Sequence, residues 1–396
     1  MSESLVLVLN CGSSSLKFAI IDHTCGAEVL HGQAERLESA EASLTVKSAD
    51  GKTNIPIANA NHSRAISEIV KVVQRVDGLV EKIKAVGHRV VHGGELFHKS
   101  MLINDATITQ LRECEHLAPL HNPANILGIE AAREVFPDLP HTAVFDTAFH
   151  QTMPSKACIY PLPYDLYKDH GIRRYGFHGT SYRYVSQQAA VELGRDESEL
   201  ATVIAHLGNG ASVAAVDGGK SQDTSMGMTP NEGVVHGTRC GSIDPSIPEY
   251  LVQNLNMSMD EVSDILWKKS GLLGISGLSN DCRSIEEAAA GDHELSQLAL
   301  EIYSYRLAKE IASLVVPLGR LDALVFTGGI GENSTLIRGE VIRQLGFLGL
   351  ELDAAANERC IRGQQGRIST ESGPAVLVIP TNEELMIAQD AAAFIA

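Results

Sequence analysis

No apolar stretch in this 396-residue chain reaches the roughly 18 consecutive residues that a membrane-spanning helix requires; LVLVLN at residues 5–10 already gives way to a polar loop. The amino terminus, MSES, carries no basic segment ahead of that run, so no secretory signal is expected, and the chain is expected to stay in the cytoplasm away from membranes. Positive charge is scarce too: 32 Lys and Arg stand against 49 Asp and Glu, a formal net charge of −17 at pH 7. That balance excludes non-specific nucleic-acid binding, which needs clustered basic residues to displace counterions, and it means that an anionic substrate must find its positive partners locally. The seven cysteines, at 11, 25, 114, 158, 240, 282 and 360, include no C-x-x-C pair, and their odd number argues against a disulfide framework or structural zinc. Reduced thiols are expected. Low-complexity tracts and evident linkers are missing as well.

What is present is a globular composition, 44% hydrophobic, in a chain longer than one core usually serves, so two domains are expected. LVLVLNCGSSSLKFAIID (5–22) reads as strand, small-residue loop and strand, with Asn10, Gly12, three serines and Lys17 around the loop. ATVIAHLGNGASVAAVD (201–217) repeats the pattern, ending on Asp217 as the first copy ends on Asp22. Copies half a chain apart do not make a solenoid, whose periods run about 20–50 residues; they suit a duplicated domain. SADGKT around Asp50 and Gly51 predicts a hairpin turn, and Ile66, Ile69, Val70, Val73 and Val76 predict a helix. AVGHRVVHGGE (85–95) reads as a strand entering a glycine turn, and HTAVFDTAFH (141–150) as a strand ending at Asp146. A long helix is expected from near Glu294, with Tyr303, Leu307, Ile311 and Leu314 on one face and Pro317 and Gly319 at its end. DALVFTGGIGENS (322–334) predicts strand, glycine turn and helix start, and the last residues a strand, a turn at Pro380 and a terminal helix.

Three glycine-rich turns, NCGSSS, HLGNGAS and TGGIGEN, each follow a strand. Small residues there let backbone N–H groups approach phosphate oxygens, and Lys17 is placed to reach the same anion. None is a P-loop, since G-x-x-x-x-G-K-[ST] is absent, and GGIGEN lacks the spacing and distant acid of a Rossmann turn. Two strand–loop–strand clamps and a late strand–turn–helix unit together describe the duplicated actin-like, sugar-kinase and Hsp70 architecture. The expected fold is therefore α/β: two RNase H-like domains, residues 1–148 plus 384–396 and residues 149–383, with the nucleotide between them.

In order along the chain, NCGSSSLKF, GHRVVHGGE, APLHNP, FDTAFHQTMP, RRYGFHGTS, HLGNGAS, DTSMGMTP, GTRCGSIDP, SGLLGIS, FTGGIGEN and IPTNEEL resemble the motifs of the acetate kinase (acetokinase) family. The resemblance spans essentially the whole chain. It implies reversible, Mg²⁺-dependent in-line transfer of the γ-phosphoryl group of ATP to acetate, giving acetyl phosphate and ADP, with Mn²⁺ as a substitute metal and a homodimeric assembly. A propionate or other short-chain acyl kinase of the same family is the nearest alternative. A nucleotide switch of the actin or Hsp70 kind is a reading of another class, as is a weakly catalytic paralogue; a switch, however, needs no arginine at a small carboxylate pocket.

The residue types suit that chemistry. A carboxylic acid with a pKa of about 4–5 is already ionised at neutral pH, so no general base is required. The obstacle is repulsion between two anions, which calls for cations, a metal ion and positioning groups. Arg89, Arg239, His121, His178 and His206 stand in short motifs beside glycine or proline, and an arginine fork can hold a carboxylate or phosphoryl oxygen in bidentate fashion. Taken singly, each arginine reads more readily as a surface or inter-strand ion-pair partner; the motif context reverses that. The resemblance places Arg89 at the acetate carboxylate, Val91, Leu120 and Pro230 around its methyl group, His121 and Phe177 also at the substrate, and His178 and Arg239 at the phosphoryl group in flight. Asp146 is catalytic by the same resemblance; since the nucleophile is already ionised, it is expected to position Mg²⁺ through water or to orient a neighbouring cation. Asn10 and Glu383 would hold the metal, while Thr381 and Glu384 fit a capping box. ATP is assigned to Lys17, to His206, Leu207, Gly208, Asn209 and Gly210, to Asp281, Cys282 and Arg283, and to Gly329, Ile330, Gly331, Glu332 and Asn333. Four positions depart from the family's pattern: Tyr182 replaces a histidine, Asn231 a leucine, His236 a methionine and Ser242 an acid. The last three surround Pro230 and Arg239, so activity is expected to persist with altered kinetic constants or acyl preference.

Overall fold

The first strand, β1 (Leu5–Cys11), is buried on both faces: Leu5, Leu7 and Leu9 join one apolar cluster, and Val6 and Val8 join another. The leucine face packs on the helices His62–Gln74 and Asn122–Val135, through Ala65, Ile66, Ile69 and Val73 of the first and Ala131 and Ala132 of the second. The valine face receives Ile387, Ala388 and Ala391 of the last helix, Glu383–Ala392. The computed structural model describes residues 4–48 and 51–395. They form two units, Met1–Phe149 with Asn382–Ala396, and His150–Thr381.

In the first unit, β1 is followed by β2 (Ser15–Asp22), β3 (Glu28–Glu35), β4 (Ser43–Ser48), β5 (Gly51–Pro56), β6 (Ile83–Val90), β7 (Met101–Leu102) and β8 (His141–Phe145), in the sheet order β5-β4-β3-β2-β1-β6-β8-β7. β4 and β5 pair as the expected hairpin, Ser48 against Gly51; the turn reading at Asp50 lies outside the described residues. In the second unit, β9 (Ala201–Leu207), β10 (Ala211–Asp217), β11 (Lys220–Thr224), β12 (Ala323–Thr327), β13 (Gly366–Arg367) and β14 (Ala375–Val378) are ordered β11-β10-β9-β12-β14-β13. The cores of the two sheets match. In each, three antiparallel strands formed in chain order continue into two strands parallel to the first of them, β6 and β8 beside β1 in the first sheet and β12 and β14 beside β9 in the second. The repeated hairpin read from the sequence is the seed of both.

The long helix, Glu294–Val315, buries Tyr303, Leu307, Ile311 and Leu314 against the second sheet and stops before Pro317. The terminal helix lies close on β6 because Gly87 has no side chain: a Cβ there would sit 2.6 Å from Ile387 Cγ2. Its amino-terminal cap differs from the expected capping box. Asn382 Oδ1 accepts the Leu385 N–H at 2.9 Å, while Thr381 is engaged elsewhere, donating its N–H to Glu332 Oε1 (3.2 Å) and sharing a 2.7 Å hydrogen bond with Ser181 Oγ.

Buried imidazoles hold parts of both units. His141 Nε2 donates to the Phe136 carbonyl (3.0 Å), so its Nδ1 accepts from His88 Nε2 (2.9 Å); His150 bridges Ser221 Oγ and the Phe177 carbonyl; His236 Nδ1 accepts the Ala211 N–H at 3.0 Å. Burial pushes all of them below the ordinary histidine value, His150 to about 4 and His236 to about 3. They therefore stay neutral in the fold while the unfolded chain takes up protons below pH 6.5, which costs about 1.4 kcal/mol per pH unit for each such site. Stability is expected to be full above pH 6.5 and to fall as the pH drops toward 4, by on the order of 1 kcal/mol per buried histidine at pH 5.5. Urea denaturation at pH 7.5 and 5.5 measures the difference; equal midpoints would mean that these rings protonate in place.

Candidate active site

In the first unit the site grows from the ends of parallel strands. Arg89 is the penultimate residue of β6, and Asp146 follows β8 with its N–H on the Val90 carbonyl (3.0 Å). The strand register brings the two side chains together: Arg89 Nε and Nη2 donate to Asp146 Oδ1 (2.9 Å) and Oδ2 (2.6 Å). Asp146 is buried, and its charge pushes the guanidinium further above its usual range. Asp146 thus stands as the anion of an ion pair with a neighbouring cation, Arg89. Glu383 opens the last helix beside this pair, its Oε1 buried with no hydrogen-bond partner. Burial pushes its carboxyl up to about 7, against the pull of Arg89 and Lys17, with Asp146 and Glu384 adding to the rise. Lys17 stands exposed on β2, across the strand register from Asn10.

Two asparagines that sequence reading passed over brace this end of the sheet. Asn125 donates Nδ2–H to the Cys11 carbonyl (2.6 Å) and accepts the Val91 N–H (3.0 Å), and Asn122 exchanges hydrogen bonds with the His92 backbone at 3.1 and 2.8 Å. Their signal was a pair of amides on the otherwise apolar buried face of that helix, where each must find a partner. His121 occupies the position before that helix, and Leu120, 66% exposed, precedes it.

In the second unit the turn 208–210 between β9 and β10 is the focus. His178 precedes the helix Gly179–Leu193 in the left-handed region (φ 59°), and its ring stacks on His206 with centroids 4.2 Å apart. Each ring is tied at Nδ1 by a serine, His178 to Ser212 Oγ (2.7 Å) and His206 to Ser181 Oγ (2.8 Å). Arg239 donates Nη1–H to the Pro230 carbonyl (3.1 Å) and lies over the Trp267 ring at 5.7 Å; burial lowers its hold on the proton. A Cβ on Gly210 would lie 3.3 Å from Arg239 Nη1 and 3.7 Å from His178 Nε2, so the two cationic-capable groups meet over this glycine. The unusual residues tie down the surrounding loops: Asn231 Oδ1 accepts from Cys240 Sγ (3.5 Å), Ser242 Oγ accepts the Gly233 N–H (3.1 Å), and His236 holds Ala211.

Beside that turn is a cavity of about 510 Å³ lined by Gly208, Asn209, Asp281, Cys282, Arg283, Gly329, Ile330 and Asn333, together with Asn280, Glu286 and Ser334, which the motifs did not suggest. The expected Leu207 and Phe177 contacts change meaning. Both side chains are buried, Leu207 because it alternates with His206 across the strand and Phe177 with its carbonyl engaged by His150. Glu332 is also redirected: its carboxylate accepts the Gly328 and Thr381 N–H groups at 2.9 and 3.2 Å, latching the glycine turn, and burial raises its pKa. Gly331 is held from behind by Arg338, a fully buried guanidinium that also donates to Asn357 and the Cys360 carbonyl.

Cations and imidazoles gathered at glycine turns, a nucleoside-sized hollow next to them, and two sheets with the same order of five central strands place the molecule among α/β phosphotransferases built from duplicated domains. The chain belongs to the acetokinase family, which it matches over residues 5–389. It is 56% identical over 390 residues to the acetate kinase of Chromobacterium violaceum, covering 98% of each chain. Among solved structures it resembles the acetate kinase of Porphyromonas gingivalis (TM-score 0.94, 42% identity, 99% of this chain and 100% of that one) and a propionate kinase from Francisella tularensis (TM-score 0.93, 47% identity, 98% and 99%).

Proposed function

We propose that this chain catalyses the reversible transfer of the γ-phosphoryl group of ATP to acetate. The observation that carries the reading is the meeting of Arg239 Nη1 and His178 Nε2 over Gly210, next to the cavity formed by the glycine turns. The nucleoside sits against Asp281 and Arg283, and the polyphosphate runs along Gly208–Gly210 toward the two donors. Arg239 and His178 take up the charge that spreads over the equatorial phosphoryl oxygens as the bond to ADP breaks. In the first unit the Arg89 fork, anchored on two N–H groups by Asp146, offers its remaining edge to the acetate carboxylate, and Val91 and Leu120 border the methyl group. No side chain needs to remove a proton.

The donor set fits Mg²⁺. Glu383 Oε1 is a buried acceptor without a partner, Asn10 supplies a neutral oxygen, and among the described residues no group of three or more His, Cys, Asp or Glu side chains is suited to caging a metal. Magnesium favours few carboxylates and several waters. When bound it would neutralise phosphate charge; Lys17 and Arg89 contribute fixed positive charge near the same acid. A homodimer is supported by the helix Ile247–Leu255, a largely apolar segment with no buried residue and with Ile247, Tyr250 and Leu255 exposed.

Trapping the acyl phosphate with hydroxylamine tests the reading. Hydroxamate is expected only when ATP, acetate and Mg²⁺ are all present, with acetate preferred over propionate and butyrate by about 10- to 200-fold per added methylene. ATP hydrolysis without acetate-dependent hydroxamate would instead identify a nucleotide switch, and equal rates on propionate would favour the broader acyl kinase that the Francisella relative's name suggests.

A further inference from the structure

Tyr182, one of the four departures from the family's pattern, lies fully buried on the first turn of the helix Gly179–Leu193. Its hydroxyl is 2.5 Å from Ser212 Oγ, and Ser212 Oγ is 2.7 Å from His178 Nδ1, so phenol, alcohol and imidazole form one chain of hydrogen bonds. We propose that Tyr182 is a positioning residue that fixes the tautomer of His178 through Ser212, so that His178 meets the transferring phosphoryl group as a neutral Nε2–H donor. The proposal rests on the reading of His178 given above.

The direction of the chain follows from the acidity of its members. A phenol is the stronger donor and the poorer acceptor of the two hydroxyls, since its lone pairs are drawn into the ring, and burial keeps it protonated. Its hydrogen goes to Ser212 Oγ, and the serine hydrogen then goes to His178 Nδ1. An imidazole that accepts at Nδ1 carries its proton on Nε2. That nitrogen faces Gly210, 3.7 Å from where a Cβ would stand and opposite Arg239 Nη1. The neighbouring ring is handled by the preceding residue: Ser181 binds His206 Nδ1, and Ser212 lies directly across the β9–β10 register from His206. Consecutive residues of one helical turn thus orient both members of the stacked pair. A histidine at position 182 could adopt either tautomer and so donate or accept, whereas a tyrosine keeps one donor direction across the physiological range.

The test compares Tyr182→Phe, Ser212→Ala and the double variant in the full chain, by hydroxamate formation and by ¹⁵N NMR of histidine-labelled protein, with His178→Ala used to assign the resonances. Tyr182→Phe is expected to lower kcat by about 10- to 100-fold with little change in either KM, and to convert the His178 signature from Nε2–H to a mixture of tautomers. The double variant should be no worse than Ser212→Ala alone, because both changes break one chain. A folded Tyr182→Phe protein with wild-type kcat and an unchanged Nε2–H signature overturns the proposal, as do independent, multiplying losses in the double variant. Should Tyr182→Phe fail to fold, Ser212→Ala with the same NMR readout decides. Wild-type kcat in His178→Ala would sink the assignment of His178 to the phosphoryl group while leaving the tautomer measurement to judge Tyr182 on its own.

Discussion

Replacing Arg239 with alanine is expected to lower kcat by about 10³- to 10⁵-fold, the range over which a single arginine stabilises a transferring phosphoryl group. The argument is geometric. Among the described residues Arg239 has no carboxylate partner; it rests on the Pro230 carbonyl and the Trp267 ring, both of which leave its charge uncancelled. A guanidinium held half-buried in that way keeps its field for a ligand, and loses little when the ligand leaves. Arg239→Lys should rescue poorly, since an ammonium cannot span two oxygens in one plane. The fold should tolerate the alanine, because a neutral carbonyl contact and a ring contact are each worth only about 1 kcal/mol. Steady-state kinetics in both directions, beside urea melts, separate these effects. A variant within tenfold of wild type would move the charge stabilisation elsewhere.

Asp146→Ala should damage both stability and turnover. Arg89 gives Nε and Nη2 to this buried carboxylate, so its removal strands a guanidinium in a poorly solvated place, at a cost of about 3–5 kcal/mol. Asp146→Asn retains one acceptor for the fork and should cost less. In activity, the loss of the anchor should lower kcat/KM for acetate at least about 100-fold, the usual scale for a displaced binding group, because Arg89 no longer presents a fixed edge. Combining Asp146→Ala with Arg89→Ala should then add little, whereas Asp146 acting as a base in its own right would make the two losses multiply. Double-mutant kinetics on acetate, with denaturation midpoints for each variant, distinguish the cases.

Much of the architecture was legible because its evidence is local. The duplicated strand–loop–strand pattern fixes where antiparallel pairs form, and the same order then follows in both sheets. The glycine turns and the residues around the cavity were legible for the same reason. What escaped was decided by distant partners. Thr381 and Glu384 have capping-box spacing, but Thr381 is claimed by Ser181 and Glu332, remote in the chain, and Asn382 takes the cap. Leu207 was drawn into the nucleotide site by its neighbours in HLGNG, although a strand must send alternate side chains to opposite faces. Ser212, a polar residue within the apolar ASVAAVD, carried a usable signal: a buried hydroxyl in a strand must bond to something, and here it bonds to both His178 and Tyr182.

The closing helix has a bearing on how the molecule is made. Ile387, Ala388 and Ala391 cover the valine face of β1, so the first sheet stays open on one side until the helix Glu383–Ala392 has been made, whereas the stretch from His150 to Thr381 has its own core earlier. The part translated first is thus the part finished last. Glu383 arrives on the same late segment, so a chain clipped before it lacks that buried acid at the moment its apolar sheet is most exposed, and on the function proposed above it is expected not to turn over nucleotide.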